Sequence, residues 1–171
     1  MKYLLIALAG IFALVASVGS SQAQAKPWGH ITDVNSRFVV LPEFGNAAVL
    51  DRSTGLIWEK SPSNSVDVWS DKIGFCMGRV KGDSPLGWRM PKWEEMGTLF
   101  NVTISGGPGA PTTSLPEGHP FTVSAGNYWT MSPNPNDPAD ARIFGVGTFS
   151  SQFIAKTPTA LRVWCVRGGA N

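Results

Sequence analysis

The chain of 171 residues combines 19 glycines, 13 prolines and 7 tryptophans with few charged residues, and its formal net charge is +2. This length suits one domain with a sizeable core, and the composition favours a loop-rich fold with short strands over a helical bundle. The weak net charge argues against nucleic acid as a partner and against binding of polyanions by bulk electrostatics.

Residues Met1–Ala25 have the features of a secretory signal peptide. Lys2 precedes an apolar run over Tyr3–Val18, and small-x-small triplets that end at Ala23 and Ala25 supply cleavage sites. The run is shorter than the roughly 20 residues that span a bilayer, which disfavours an uncleaved anchor. We therefore expect export to the periplasm, the cell surface or the extracellular space, with no membrane span after signal cleavage.

The remainder is predicted to contain an N-terminal arm with the first strand at 26–46 and one folded domain at 47–171. The two cysteines, Cys76 and Cys165, would pair as a disulfide in an oxidising compartment. Two separate buried thiols are the alternative. A bridge across a loop of this length stabilises by about 4–5 kcal/mol on the chain-entropy model.

Strands dominate the start of the domain. The β-rich runs at Arg37–Leu41, Ala47–Asp51 and Leu56–Glu59 each predict a strand. The last two are joined by a turn at Asp51–Gly55, in which Gly55 supplies a permissive backbone.

Two helices are predicted next. Apolar residues recur at helical spacing over Val68–Val80, with Asp67 as a plausible N-cap. The apolar stripe of this helix would contain Trp69, Ile73, Cys76, Met77 and Val80. A second helix would begin at Pro91, a residue suited to a first helical position. Its stripe would contain Trp93, Met96, Leu99 and Phe100.

The second half of the domain alternates irregular segments with strands. Asn101–Asn127 is rich in glycine and proline and predicts a long loop, and Pro133–Asp140 predicts an Asn/Asp/Pro loop. Between and after these loops, strands are predicted at Tyr128–Ser132, Arg142–Phe149 and Leu161–Arg167. The order of elements indicates an α+β domain.

The last predicted strand bears on the candidate sites. Because side chains alternate along a strand, Val163 and Cys165 share one face, while Arg162, Trp164 and Val166 share the other.

Five motifs occur in a fixed order between Ala47 and Gly168. They are Asp51-x-x-Thr54-Gly55-Leu56-x-Trp58-Glu59, Trp69-x-x-x-Ile73-x-Phe75-Cys76, Gly87-Trp88-Arg89-Met90-Pro91-x-x-x-Glu95-Met96, Tyr128-Trp129-Thr130-x-Ser132 and Arg162-x-x-Cys165-Val166-Arg167-Gly168. In this order they resemble the Lcl C-terminal domain family, secreted bacterial domains named after a collagen-like adhesin. The chain departs from the family pattern at Lys72, Met90, Lys92 and Met96.

The resemblance implies an α+β, C-type-lectin-like fold that is also similar to the formylglycine-generating enzyme. Two helices would pack on short antiparallel sheets with long irregular loops, and one disulfide would join the first helix (Cys76) to the last strand (Cys165). The named adhesin is associated with sulfated polysaccharide, a ligand that the near-neutral charge of this chain does not favour.

Several residues are candidates for a site. Within the Trp-Arg-x-Pro motif, Arg89 and Glu95 could be functional, although an internal ion pair that fixes the second helix is the alternative; Trp58 and Trp88 are expected to be structural. Trp129 and Trp164, with Arg162 beside the latter, are the tryptophans best placed for exposure and ligand stacking, with core packing as the alternative.

The Pro133–Asp140 loop offers further candidates. Asn134, Asn136, Asp137 and Asp140 could contact a ligand. The last three could also supply oxygens to Ca²⁺, which takes about 6–8 oxygen ligands. Turn formation without metal is the alternative, and we expect no other cofactor.

Catalysis is not favoured. His30 and His119 have no spacing to a metal set, no nucleophile elbow is present, and paired cysteines leave no thiolate, so a degenerate relative of the formylglycine-generating enzyme is only a remote alternative. We expect a non-catalytic, secreted module that binds an extracellular glycan or surface protein through Thr103–Asn127 and Pro133–Asp140. The other hypothesis is a subunit that self-associates into a surface layer or fibre.

Overall fold

The computed structural model describes residues 33–80, 87–103, 112–148 and 150–168. The expected signal peptide and His30 lie outside these residues. Within the described ranges, no helix has the length and apolar character needed to cross a membrane.

The described residues form an α+β structure with short helices and small antiparallel sheets. The helices are α1 (Val34–Arg37), α2 (Trp69–Met77) and α3 (Trp93–Gly97), with a 3₁₀ turn at Pro42–Phe44. The strands of the first half are β1 (Phe38–Val40), β2 (Ala48–Asp51), β3 (Leu56–Glu59), β4 (Trp88–Arg89) and β5 (Asn101–Thr103). Those of the second half are β6 (Thr112–Ser114), β7 (Gly126–Pro133), β8 (Asp140–Val146), β9 (Phe153–Ala155) and β10 (Val166–Arg167).

These strands make three sheets. The largest has the order β1-β2-β3-β10-β4, so the last strand of the chain is inserted between β3 and β4. Val166 of β10 lies opposite Trp58 on one side and Arg89 on the other. Strands β5 and β6 form a two-stranded sheet, and β7, β8 and β9 form a three-stranded sheet.

The disulfide between Cys76 and Cys165 is present and completely buried. It joins α2 to the residue before β10, with 5.5 Å between the two Cα atoms. Cys165 is therefore tied to α2 by this bond, and the strand that follows it is held between β3 and β4 in the main sheet.

Two apolar clusters cover the sheets. One contains Trp58, Trp164 and Phe144, and the other contains Cys76, Trp129 and Trp88. The alternation predicted for the last strand is correct, because Val163 and Cys165 belong to the second cluster while Trp164 and Val166 belong to the first. Both faces of this segment are consequently covered, and neither is open to solvent.

The helices differ from the predictions at their ends. Helix α2 covers only Trp69–Met77 and is preceded by Val68 as N-cap, since Asp67 instead pairs through its backbone with Leu161. The predicted stripe was wrong for Met77 and Val80, whose side chains are exposed, and was right for Cys76.

Helix α3 starts at Trp93, two residues later than expected. The Pro91 carbonyl accepts a hydrogen bond from the Met131 amide at 2.7 Å, and Lys92 is extended, so the helix begins only after this connection to β7.

The strands also differ in extent. The expected loop over Asn101–Asn127 contains the β5–β6 hairpin pairing, while residues 104–111 lie outside the described structure. The strand expected at Arg142–Phe149 runs instead over Asp140–Val146. The strand expected at Leu161–Arg167 is reduced to Val166–Arg167, with isolated bridges at Leu161 and Arg162.

Candidate functional site

The two tryptophans proposed for ligand stacking are inaccessible. Trp129 and Trp164 are both 0% exposed, so their assignment to a surface site was wrong. Their indole nitrogens donate to backbone carbonyls, Trp129 to Asp67 at 3.0 Å and Trp164 to Glu59 at 2.7 Å. Each indole therefore packs in a core and also satisfies a backbone acceptor, which is a structural role.

Arg162 supports β7 and is not aimed outwards from the sheet. A Cβ atom built on Gly126 would lie 2.7 Å from the Nη1 atom of Arg162, so the guanidinium passes against the glycine backbone. Burial raises the pKa of the nearby Tyr128 hydroxyl, and the charge of Arg162 partly opposes this shift. The carbonyl of Arg162 accepts from the Trp129 amide at 2.8 Å.

Arg89 and Glu95 form a bidentate ion pair with N–O distances of 2.8 and 2.6 Å. Arg89 also donates to the Gly168 carbonyl, and Glu95 accepts from the Lys92 amide at 2.7 Å. Burial alone would raise the pKa of the Glu95 carboxyl, but these hydrogen bonds and the charges of Arg89 and Lys92 together hold it below its usual value. The pair thus links the start of α3 to Gly168 after β10, which agrees with the structural alternative given for Arg89 and Glu95.

The Asn/Asp/Pro loop uses its oxygens to hold its own backbone. The Oδ1 atom of Asn134 accepts from the Asn136 amide, and that of Asp137 accepts from the Ala139 amide. Asp140 accepts from the Asn134 side chain at 3.3 Å. These contacts close turns of the Asx type. Among the described residues, no group of three or more His, Cys, Asp or Glu side chains is arranged to hold a metal ion.

A different set of side chains forms an open surface beside this loop. The guanidinium of Arg142 on β8 stacks over the indole of Trp93, the first residue of α3, with 3.7 Å from Cζ to the ring centroid. The same Cζ atom lies 5.8 Å from the ring centroid of Phe153, the residue that pairs with Arg142 on β9. We refer to these three residues as the Trp93–Arg142–Phe153 surface.

This surface combines exposed apolar area with the hydrogen-bond donors of a guanidinium. Phe153 is 43% exposed, while Trp93 and Arg142 are half-buried. The Nε atom of Arg142 donates to Ser151 Oγ at 2.9 Å, which orients the guanidinium plane. No described residue accepts from either terminal nitrogen of Arg142. The planar donor group is therefore held in place, with its outer edge available to a ligand.

The backbone around Arg142 is irregular in a way that positions α3. The β7–β8 register shifts between Trp129 and Pro133, opposite Arg142. In this bulge the Met131 amide donates to the Pro91 carbonyl, and Ser132 Oγ accepts from the Trp93 amide at 2.9 Å. Bulges often re-aim side chains next to functional sites. Here the bulge fastens the first turn of α3 against β7, close to the guanidinium.

Trp93, Arg142 and Phe153 were not selected as site residues from the sequence. Trp93 was assigned to a helix stripe, and it does pack on Phe144, with ring centroids 5.9 Å apart. The sequence signal that could have indicated Arg142 is the alternation along Ala141-Arg142-Ile143. Because side chains alternate along a strand, Arg142 lies on the face of β8 away from the buried Ala141 and Ile143.

Comparisons with known proteins identify the family. No curated protein matches the chain, and no solved structure matches it. The segment that matches a family model contains both cysteines and the whole Trp93–Arg142–Phe153 surface. That model describes the Lcl C-terminal domain and matches residues 47–167, so the chain belongs to the Lcl C-terminal domain family.

Proposed function

We propose that the protein is a non-catalytic, exported ligand-binding module and that it binds a glycan on the Trp93–Arg142–Phe153 surface. The observation that carries this proposal is the Arg142 guanidinium, which stacks over Trp93 with the exposed ring of Phe153 beside it, while no described residue accepts from its terminal nitrogens. The site differs from the loops expected from the sequence, although it adjoins the Pro133–Asp140 loop.

The chemistry of the surface matches that of a sugar. A pyranose ring has apolar C–H faces, which gain free energy when an aromatic ring removes them from water. The same ring carries hydroxyl oxygens at its edge, which accept hydrogen bonds from a guanidinium fork. Phe153 supplies the aromatic ring and Arg142 supplies the hydrogen-bond donors, with 5.8 Å between the Arg142 Cζ atom and the Phe153 ring centroid.

Contacts within the protein hold the Arg142 side chain in one conformation before a ligand binds. Arg142 is fixed by Ser151 and Trp93, and β8 is joined to β7 by the hydrogen bond from Thr130 Oγ1 to the Arg142 carbonyl at 2.5 Å. Ordering of a free arginine would reduce affinity by lost side-chain entropy. A preorganised arginine avoids most of this cost.

We also propose that the fold is C-type-lectin-like. Its support is the disulfide from α2 to the residue before β10, the insertion of β10 between β3 and β4 in the main sheet, and the separate β7-β8-β9 sheet with its connecting loops.

The test is a glycan-array screen of residues 26–171, with and without calcium, followed by calorimetric titration of the best sugar. Phe153→Ala and Arg142→Gln are each expected to weaken binding by about tenfold, because each removes one ligand contact. Met77→Ala is the control for loss of an exposed apolar side chain, and Arg52→Gln is the control for loss of an exposed arginine. Both controls should bind as the parent does.

Equal affinity of the parent and both site variants would refute this site. Binding to a protein array but to no glycan would refute the glycan assignment. Sedimentation of the same protein addresses the self-association hypothesis, for which the available support is the exposed apolar residues Met77, at the end of α2, and Val80, just after it. Large ordered particles would favour an assembly subunit, and a monomer would favour a binding module.

A further inference from the structure

We infer that the Trp93–Arg142–Phe153 surface selects an uncharged, hydroxyl-bearing ring and disfavours sulfated or otherwise polyanionic glycans, with Glu94 as the residue that sets this preference. This inference rests on the proposed glycan function. It adds that the preferred glycan is uncharged and that Glu94 contributes to this preference.

Glu94 is linked to the surface by a chain of hydrogen bonds. The Trp93 amide donates to Ser132 Oγ at 2.9 Å, and Ser132 Oγ donates to Glu94 Oε2 at 3.3 Å. Glu94 follows Trp93 in the first turn of α3, and Ser132 lies in the bulge opposite Arg142. One carboxylate oxygen of Glu94 is thus anchored to the bulge that faces Arg142, and Glu94 is one residue from the indole over which the guanidinium stacks.

A surface that offers both the Arg142 guanidinium and the Glu94 carboxylate suits hydroxyl groups in particular. A guanidinium can only donate hydrogen bonds, and an ionised carboxylate can only accept them. A hydroxyl does both, so neighbouring hydroxyls of one sugar can satisfy both side chains. A sulfate oxygen can only accept, so it gains a contact with Arg142 and meets repulsion from Glu94.

The charges near this surface are mixed in sign. Arg142 and Glu94 carry opposite unit charges, Lys92 before Trp93 is an exposed cation, and two other cations have partners of their own. Lys156 donates to the Pro138 carbonyl and stacks on Trp69. Arg89 is paired with Glu95. A polyanion site uses several uncommitted cations, whereas this part of the surface combines Arg142 with the carboxylate of Glu94, the residue that follows Trp93 in α3.

The experiment compares neutral glycans with sulfated forms of the same backbone. Dextran with dextran sulfate, and cellulose oligosaccharides with cellulose sulfate, are titrated by calorimetry at low and high salt. The parent should bind a neutral member of the panel more tightly than its sulfated counterpart, with little dependence on salt. Glu94→Gln should weaken neutral binding and strengthen sulfate binding, each by about fivefold at low salt.

Glu43→Gln is the matched control, since it removes an exposed carboxylate from the 3₁₀ turn before β2. It should leave both titrations unchanged. A parent that prefers the sulfated members, or a Glu94→Gln variant with an unaltered ratio, overturns the inference and leaves glycan binding intact. No binding to either member of any pair overturns glycan binding and this inference together.

Discussion

A hydrogen bond, a ring contact and burial together favour the neutral form of His119. Its Nδ1 atom accepts a hydrogen bond from the Phe121 amide at 3.1 Å, and its ring stacks on the Phe121 ring with centroids 6.0 Å apart. Burial lowers the pKa of the imidazole below 6.5. An acceptor nitrogen cannot carry a proton, so protonation would break the hydrogen bond that shapes this turn.

The contribution of His119 to stability should therefore depend on pH. Because the pKa is lower in the folded chain than in the unfolded chain, the contribution is present above pH 6.5 and is lost as the pH falls through the folded pKa. We expect NMR titration of the ring protons to give a pKa below 6.5, with His30→Ala used for assignment. His119→Asn, which keeps an acceptor but does not titrate, should lose less stability than the parent between about pH 8 and about pH 6. A His119 pKa at or above 6.5 would contradict this account.

The exposure of some single residues could not be predicted from the sequence. Alternation correctly separated Trp164 from Cys165, but it could not reveal that apolar clusters cover both faces of their segment. Likewise, the exposure of Phe153 and its position opposite Arg142 depend on how β9 pairs with β8. That pairing is set by tertiary contacts between distant segments, which local propensity does not contain.

At the level of elements, α3 is positioned mainly by its first turn. The helix is only five residues long, too short to be stable by itself. Its start is fixed by the Arg89–Glu95 pair and by the contact from Glu95 to the Lys92 amide. The motif predicted this pair from the sequence. The contact from Met131 to Pro91, which delays the helix start, involves a distant strand and was not predictable from the motif.

Glu95→Gln should destabilise the protein in a pH-dependent way. The pKa of Glu95 is below its usual value of 4.5, so its contribution is present above pH 4.5 and is lost as the pH falls through the folded pKa. At neutral pH the variant should lose about 1–2 kcal/mol of unfolding free energy, since a half-buried bidentate pair and a helix cap are both weakened. Urea denaturation at a series of pH values measures this difference, which should shrink as the solution becomes acidic.

Glu94→Gln is the control for this measurement. It removes the same charge from the same helical turn, so the effect on the helix dipole is matched. Glu94 is exposed, and its contact with Ser132 is long, at 3.3 Å. Its unfolding free energy should remain near that of the parent. Equal losses in the two variants would show that helix-dipole charge, and not the contacts of Glu95, accounts for the effect.

At the level of the whole molecule, the folded unit begins before the segment that matches the family. The match starts at residue 47, yet β1 (Phe38–Val40) forms the edge of the main sheet and pairs with β2. The sequence predicted a strand close to this position. It did not indicate that Arg37, next to that strand, is 3% exposed and forms an ion pair with the fully buried Asp51.

The pair joins three parts of the chain. Arg37 donates through Nε and Nη2 to the two carboxylate oxygens of Asp51 at 2.9 and 2.8 Å, and Nη2 also donates to the Thr98 carbonyl after α3. Phe38, the next residue, packs edge-on against Phe121 in the first apolar cluster, with centroids 5.1 Å apart. The N-terminal segment is thus connected to the main sheet, to α3 and to the core.

A chain that begins at residue 47 should consequently be much less stable than one that begins at Asp33. Loss of Arg37 leaves Asp51 buried without its cation, and breaking a buried pair in this way costs about 3–5 kcal/mol, to which the lost burial of Phe38 adds. Thermal unfolding followed by circular dichroism compares the two, and Asp51→Asn in the shorter chain should restore part of the loss by removing the unpaired charge. Equal melting temperatures for the chains starting at 33 and 47 would show that the family-matched segment is stable without β1 and its ion pair.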